Sequence, residues 1–108
     1  MSCIIIAEFR CKPGRAEDFI ELCRANYPGT RDYDGCEYIS LSVDQDDEDT
    51  LVMTEQWVSK EHHRRYSKLE KVMELLQHDF LISSQPNVTL TTYNDVSWVM
   101  MGYHFLIF

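Results

Sequence analysis

The stretch Glu55-Gln56-Trp57-Val58-Ser59-Lys60-Glu61-His62-His63 decides the fold, because a two-residue periodicity gives way to a helical one inside it. Upstream, Leu51, Met53, Glu55 and Trp57 alternate with their neighbours and predict a strand over Thr50 to Trp57 with these four on one face. Ser59 has the hydroxyl that a helix N-cap needs, and Glu61 complements the positive end of the helix that follows. That helix is predicted to run to about His78, with His62, Tyr66, Leu69, Met73 and Leu76 at 4,3,4,3 spacing. An indole and two imidazoles therefore meet at one strand–helix junction.

Working outward, Ser2 to Arg10 reads as a strand, Cys11-Lys12-Pro13-Gly14 as a turn, and Arg15 to Asn26 as a helix. Ala16, Phe19, Ile20 and Cys23 form its core-facing stripe. Pro28-Gly29 through Asp34-Gly35 predicts a long loop, and Tyr27, Arg31 and Tyr33 lie in or beside it, placed to fold over a cleft. A second strand covers Glu37 to Val43, and a fourth covers Val88 to Tyr93 after the turn Ser83 to Asn87. The order β-α-β-β-α-β specifies an α+β fold, a ferredoxin-like sandwich of one antiparallel sheet with two helices on one face. The other face must be solvated or covered by a second subunit. Residues 1–95 form this domain, and residues 96–108 form an apolar C-terminal extension, extra to the repeat, that suits an interface or self-packing.

At 108 residues and 44% apolar composition the chain is one domain with a modest core. A formal charge of -8 argues against nucleic acid as a partner. Cysteines at 3, 11, 23 and 36 form no CxxC pair, which suits reduced thiols in a cytoplasmic protein better than zinc or disulfides. Met1 to Ile6 soon meets Glu8 and Arg10, so it reads as a strand and not as a signal peptide. The 96–108 tail is too short and too interrupted to span a membrane. Asp44 to Asp49 holds five carboxylates in six positions but lacks the glycine of a calcium loop, so it reads as a solvated turn.

Each candidate site residue has a functional and a packing reading. Trp57 supplies a stacking wall and an N–H for an aromatic ligand, or is a core or interface tryptophan. His62 is suited to moving a proton near neutral pH, or to packing in the first helical turn. Tyr66, one turn on, shares the volume of His62 and is suited to orienting a hydroxyl or carbonyl. Glu55 interrupts an apolar face, so it looks into a wet cavity or pairs with Arg10 or another base. Arg31 and Tyr33 complete the candidate ligand-binding set. His63 points about 100° away from His62, so the doublet is weak evidence for a metal. No phosphate cradle, nucleophilic triad or cofactor box is evident.

The segments Lys12-Pro13-Gly14-Arg15-Ala16-Glu17-Asp18-Phe19, Gly35-Cys36-Glu37-Tyr38 and Thr54-Glu55-Gln56-Trp57-Val58-Ser59-Lys60-Glu61 together resemble the antibiotic-biosynthesis monooxygenase-like family. The resemblance spans roughly residues 2–95. It implies a homodimeric α+β barrel in which two open sheet faces pack together, with a cavity between each sheet and its helices. It also implies oxidation of an electron-rich phenol by molecular oxygen with neither metal nor organic cofactor, with His62 or Tyr66 assisting deprotonation and Trp57 holding the ring. Tyr66 stands where the family often has histidine. The haem-degrading relatives carry an Asn on the first strand, which this chain lacks. Other readings stay open: a non-catalytic dimeric domain that binds a small molecule or another protein, and, more weakly, a metal-binding protein using His62, His63 and carboxylates or a haem-degrading relative.

Overall fold

The computed structural model describes residues 2–77, 79, 81 and 88–95. Four strands form one antiparallel sheet in the order β2-β3-β1-β4: β1 is Cys3–Arg10, β2 Cys36–Val43, β3 Thr50–Trp57 and β4 Val88–Asn94. Helices α1 (Ala16–Arg31), α2 (Lys60–Ser67) and α3 (Glu70–Leu76) connect them. This is the ferredoxin-type sandwich expected, with the second helix in two pieces; the sheet of one chain does not close into a barrel. The expected turn at Ser83 to Asn87 and the extension 96–108 lie outside the described residues.

Register explains the burial. Cys3 faces Trp57, Ile5 faces Glu55, Ala7 faces Met53 and Phe9 faces Leu51, so these eight side chains share the helix-covered side and all are buried. Two clusters form there. One centres on Phe9, Phe19, Cys23, Leu51 and Met53, with the Phe9 and Phe19 rings 5.0 Å apart. The other is Cys3, Ile5, Trp57 and Tyr66, with Tyr33, Leu69 and Val72 packed against it. Each fully buried large side chain contributes about 1.5–3 kcal/mol. Cys3, Cys11 and Cys23 are buried free thiols, whereas Cys36 is partly exposed. On the opposite face Ile4, Ile6 and Val52 are half-buried, and Tyr38 and Tyr93 are each 53% exposed.

The strands fall within one residue of expectation, and the two helices depart further. The first helix does not stop at Asn26 but runs to Arg31 with Pro28 inside it. Proline removes one helical donor, but the following turn is held from elsewhere. Thr30 is buried, its hydroxyl bonds the Asn26 carbonyl at 3.2 Å, and Asp32 N–H donates to the Pro28 carbonyl at 3.1 Å. The second helix breaks at Lys68-Leu69, where Leu69 adopts extended backbone (φ -64, ψ 138). The break advances the stripe by about one position. Val72 and Leu75 therefore turn inward and Met73 is left 47% exposed, whereas an unbroken helix would bury Met73.

The α1–β2 turn ends on Gly35 at φ +89, which L side chains rarely adopt. Its carbonyl accepts from Val58 N–H at 2.8 Å, tying the turn to the end of β3. A Cβ on Gly35 would stand 2.5 Å from His62 Cγ. Gly35→Ala should therefore cost about 1–3 kcal/mol, measured by urea denaturation. Adding His62→Ala should relieve the overlap but not the backbone strain.

Candidate functional site

At the junction of β3 and α2, Ser59 caps α2 by accepting from His62 N–H at 3.3 Å. The same Oγ lies 2.7 Å from His62 Nδ1, which draws that ring back over the Gly35 turn. His62 Nε2 ends 3.8 Å from Asp34 Oδ2. The expectation that His62 shares a volume with Tyr66 is thus corrected: the cap turns its ring away from the interior. His63, about 100° further round, faces inward, its ring 5.7 Å from that of Trp57. The two imidazoles address different neighbours, and among the described residues no three His, Cys, Asp or Glu side chains converge on a point.

Between sheet and helices lies a cavity of about 170 Å³. Ala7, Phe9, Met53 and Glu55 form its floor; Cys23, Asn26, Tyr27 and Thr30 come from α1; His63, Tyr66 and Ser67 from α2; and Val72 and Leu75 from α3. Ile39 and Leu90 complete it from the flanking strands. Of the residues expected at a site, Glu55 and Tyr66 line this space. Trp57 and Tyr33 stand one layer behind. The Trp57 ring is fully buried 4.9 Å from Tyr66, and Tyr33 meets Trp57 at 6.1 Å and Tyr66 at 5.3 Å. Arg31 lies outside, its guanidinium 5.9 Å from the Tyr27 ring, along an outer groove between α1 and β2.

The indole N–H expected to meet a ligand is already engaged: Trp57 Nε1 donates to Glu55 Oε1 at 3.0 Å. Glu55 is 6% exposed, and its partner is this indole. Arg10 faces Thr50 at the far end of the strand pair and is not its partner. Burial pushes the Glu55 carboxyl above its ordinary value, and the indole bond only partly offsets this. Burial likewise holds the His63 imidazole below its ordinary value, so it is neutral at neutral pH. Tyr66 Oη shares a hydrogen bond with Thr30 Oγ1 at 2.7 Å, and burial keeps the phenol protonated. The site thus sets a neutral imidazole and a carboxyl biased toward its protonated form against an otherwise largely apolar space.

Glu55 also makes stability depend on pH. Its folded value lies above the unfolded 4.5, so its contribution is full below about 4.5 and is lost as pH rises through the folded value. Glu55→Gln keeps an acceptor for Trp57 Nε1 and removes the titration. Thermal melts from pH 4 to 8 should show the variant gaining on the parent as pH rises.

Tyr27 is expected to fold over a cleft from beside a loop and does line the cavity, but from within α1; Thr30 has no such expectation because Pro28-Gly29 suggests a loop. The signal was present: Phe19, Cys23, Tyr27 and Thr30 continue one helical stripe through the proline.

A four-stranded antiparallel sheet with helices on one face and a pocket between the layers defines the class, a ferredoxin-like α+β sandwich. Residues 2–75 match the antibiotic biosynthesis monooxygenase family, and the chain belongs to it. No curated protein matches the chain. Among solved structures, a conserved protein from Methanosarcina mazei Go1 superposes with TM-score 0.77 at 16% identity, covering 88% of this chain and 93% of its own. PA3566 from Pseudomonas aeruginosa gives TM-score 0.74 at 23% identity, covering 88% and 94%. An antibiotic biosynthesis monooxygenase gives 0.72 at 22%, covering 87% and 98%. At these identities the likeness speaks to fold. No helix among the described residues is long and apolar enough to cross a membrane.

Proposed function

We propose that this chain is a homodimeric monooxygenase that oxidises an electron-rich phenol with O2 in the cavity between sheet and helices, needing no cofactor. The observation that carries the reading is the pairing of His63, neutral by burial, with Glu55, biased toward its protonated form, on the wall of one largely apolar cavity. Membership of the family supports the reaction type.

In this reading the imidazole of His63 accepts the phenolic proton. The phenolate passes one electron to O2, and the resulting radical pair couples at a ring carbon to give a hydroperoxide. Loss of water from it leaves a quinone, so phenol plus O2 gives quinone plus water. Tyr66, its hydroxyl tied to Thr30, walls the substrate ring beside His63, and Trp57 and Tyr33 hold Tyr66 and His63 in place from behind. His62 serves the turn, and Arg31 stands at the outer groove. Two copies pack their open sheet faces, covering Ile4, Ile6, Val52, Tyr38 and Tyr93.

The test is oxygen uptake by the purified chain with a panel of phenols, with quinone followed by absorbance and mass measured natively. Uptake matched one-to-one by quinone supports the reading. Saturable ligand binding without uptake would assign the cavity to a non-catalytic binding protein. The mutual satisfaction of Glu55 and Trp57 favours that second reading, because it leaves both groups partnered without a substrate. A monomer would remove the dimer.

A further inference from the structure

The polar groups of the cavity wall are nearly all committed. Tyr66 Oη is bonded to Thr30, Glu55 Oε1 to the indole of Trp57, and Asn26 Nδ2 to the Leu22 carbonyl at 2.8 Å. Among the described residues Tyr27 carries the one hydroxyl of the wall without a partner, beside the imidazole of His63. The Tyr27 hydroxyl is buried at the wall and makes no hydrogen bond to any described residue. A buried hydroxyl without a partner gives up its hydration and gets nothing back until a complementary group arrives. The Tyr27 ring is meanwhile fixed: α1 carries it, the Arg31 guanidinium lies 5.9 Å from its centroid, and the main core cluster packs against it. A fixed, unpartnered hydroxyl on the wall of an otherwise largely apolar cavity is a recognition group.

Size and charge narrow what it recognises. The cavity measures about 170 Å³. An apolar cavity of about 150 Å³ holds one benzene ring, so one ring with small substituents fits and fused rings require repacking of the wall. Among the described residues no Lys or Arg lines the space, and the one carboxyl there is Glu55, already committed to Trp57. A charged ligand would be stripped of water with no counter-charge to meet it.

We propose that the cavity takes an uncharged single-ring aromatic carrying a hydroxyl or carbonyl oxygen, and that Tyr27 Oη is the group that bonds that oxygen. This rests on the assignment of the cavity as the ligand site and makes Tyr27 the determinant of specificity within it.

The test uses the intact chain and three probes, benzene, phenol and 1-naphthol, with binding measured anaerobically by calorimetry so that no turnover intervenes. Phenol should bind at least ten-fold more tightly than 1-naphthol. Tyr27→Phe should weaken phenol by about ten-fold, the effect of one hydrogen bond, and leave benzene within about two-fold. The variant should melt at or above the parent, because it loses a buried orphan hydroxyl. Absent phenol binding, equal losses for phenol and benzene, or 1-naphthol binding as tightly as phenol would each overturn the proposal. The size comparison needs no variant. Phenol binding with the Tyr27 signature but no oxygen uptake in air would uphold this inference and sink the oxygenase reading. Uptake with a fused-ring phenol, without phenol binding, would do the reverse.

Discussion

His63→Ala is expected to lower phenol turnover by about 10²–10⁴-fold, the usual contribution of a positioned general base. His62→Ala, one residue away, should change it only a few-fold. The contrast follows from the cap: Ser59 holds His62 over the Gly35 turn, whereas His63 faces the cavity. The pH profile gives an independent check. Burial depresses the His63 value below 6.5, so the neutral base is present above that value and is lost as pH falls through the lowered one. Oxygen uptake should therefore be flat near neutrality and fall on the acid side below 6.5. Equal losses for the two alanine variants would remove His63 from the role.

Trp57→Ala is expected to cost about 3–5 kcal/mol of folding stability, a loss that can unfold a domain holding 5–15 kcal/mol in all. Trp57 is fully buried, touches the rings of Tyr33, His63 and Tyr66, and supplies the donor to Glu55. Its removal leaves a large void and strands a buried carboxyl. Trp57→Phe keeps a ring and loses the N–H, so it should cost less. Urea titrations of both variants separate the void from the lost bond, and a loss below about 1 kcal/mol for the alanine variant would contradict this packing.

The sheet was legible because strands announce themselves by parity. Alternation places Leu51, Met53, Glu55 and Trp57 on one face, and all four are buried there, over the same bounds, Thr50–Trp57. Glu55 stood out as a polar residue on that face and does line the cavity. The helices are less legible. Pro28-Gly29 has the chemistry of a turn, and only the burial of Thr30 under Tyr66 shows why the chain stays helical through it. The break at Leu69 was invisible because heptad-like spacing continues across it. The choice between His62 and His63 depends on a single Ser59 hydroxyl that serves both a backbone N–H and a ring nitrogen. Periodicity cannot resolve that.

The thiols grade the molecule from surface to centre. Burial raises Cys11 to about 11 and Cys23 to about 12, so neither forms appreciable thiolate while the core is closed. Cys3 and Cys36 are raised for the same reason, and what sets Cys36 apart is that it is partly exposed. A thiol-reactive reagent therefore meets two populations, one open to it in the folded protein and three reached when the sandwich comes apart. The chain carries its own unfolding clock, with alkylation of Cys23 counting the openings of its core.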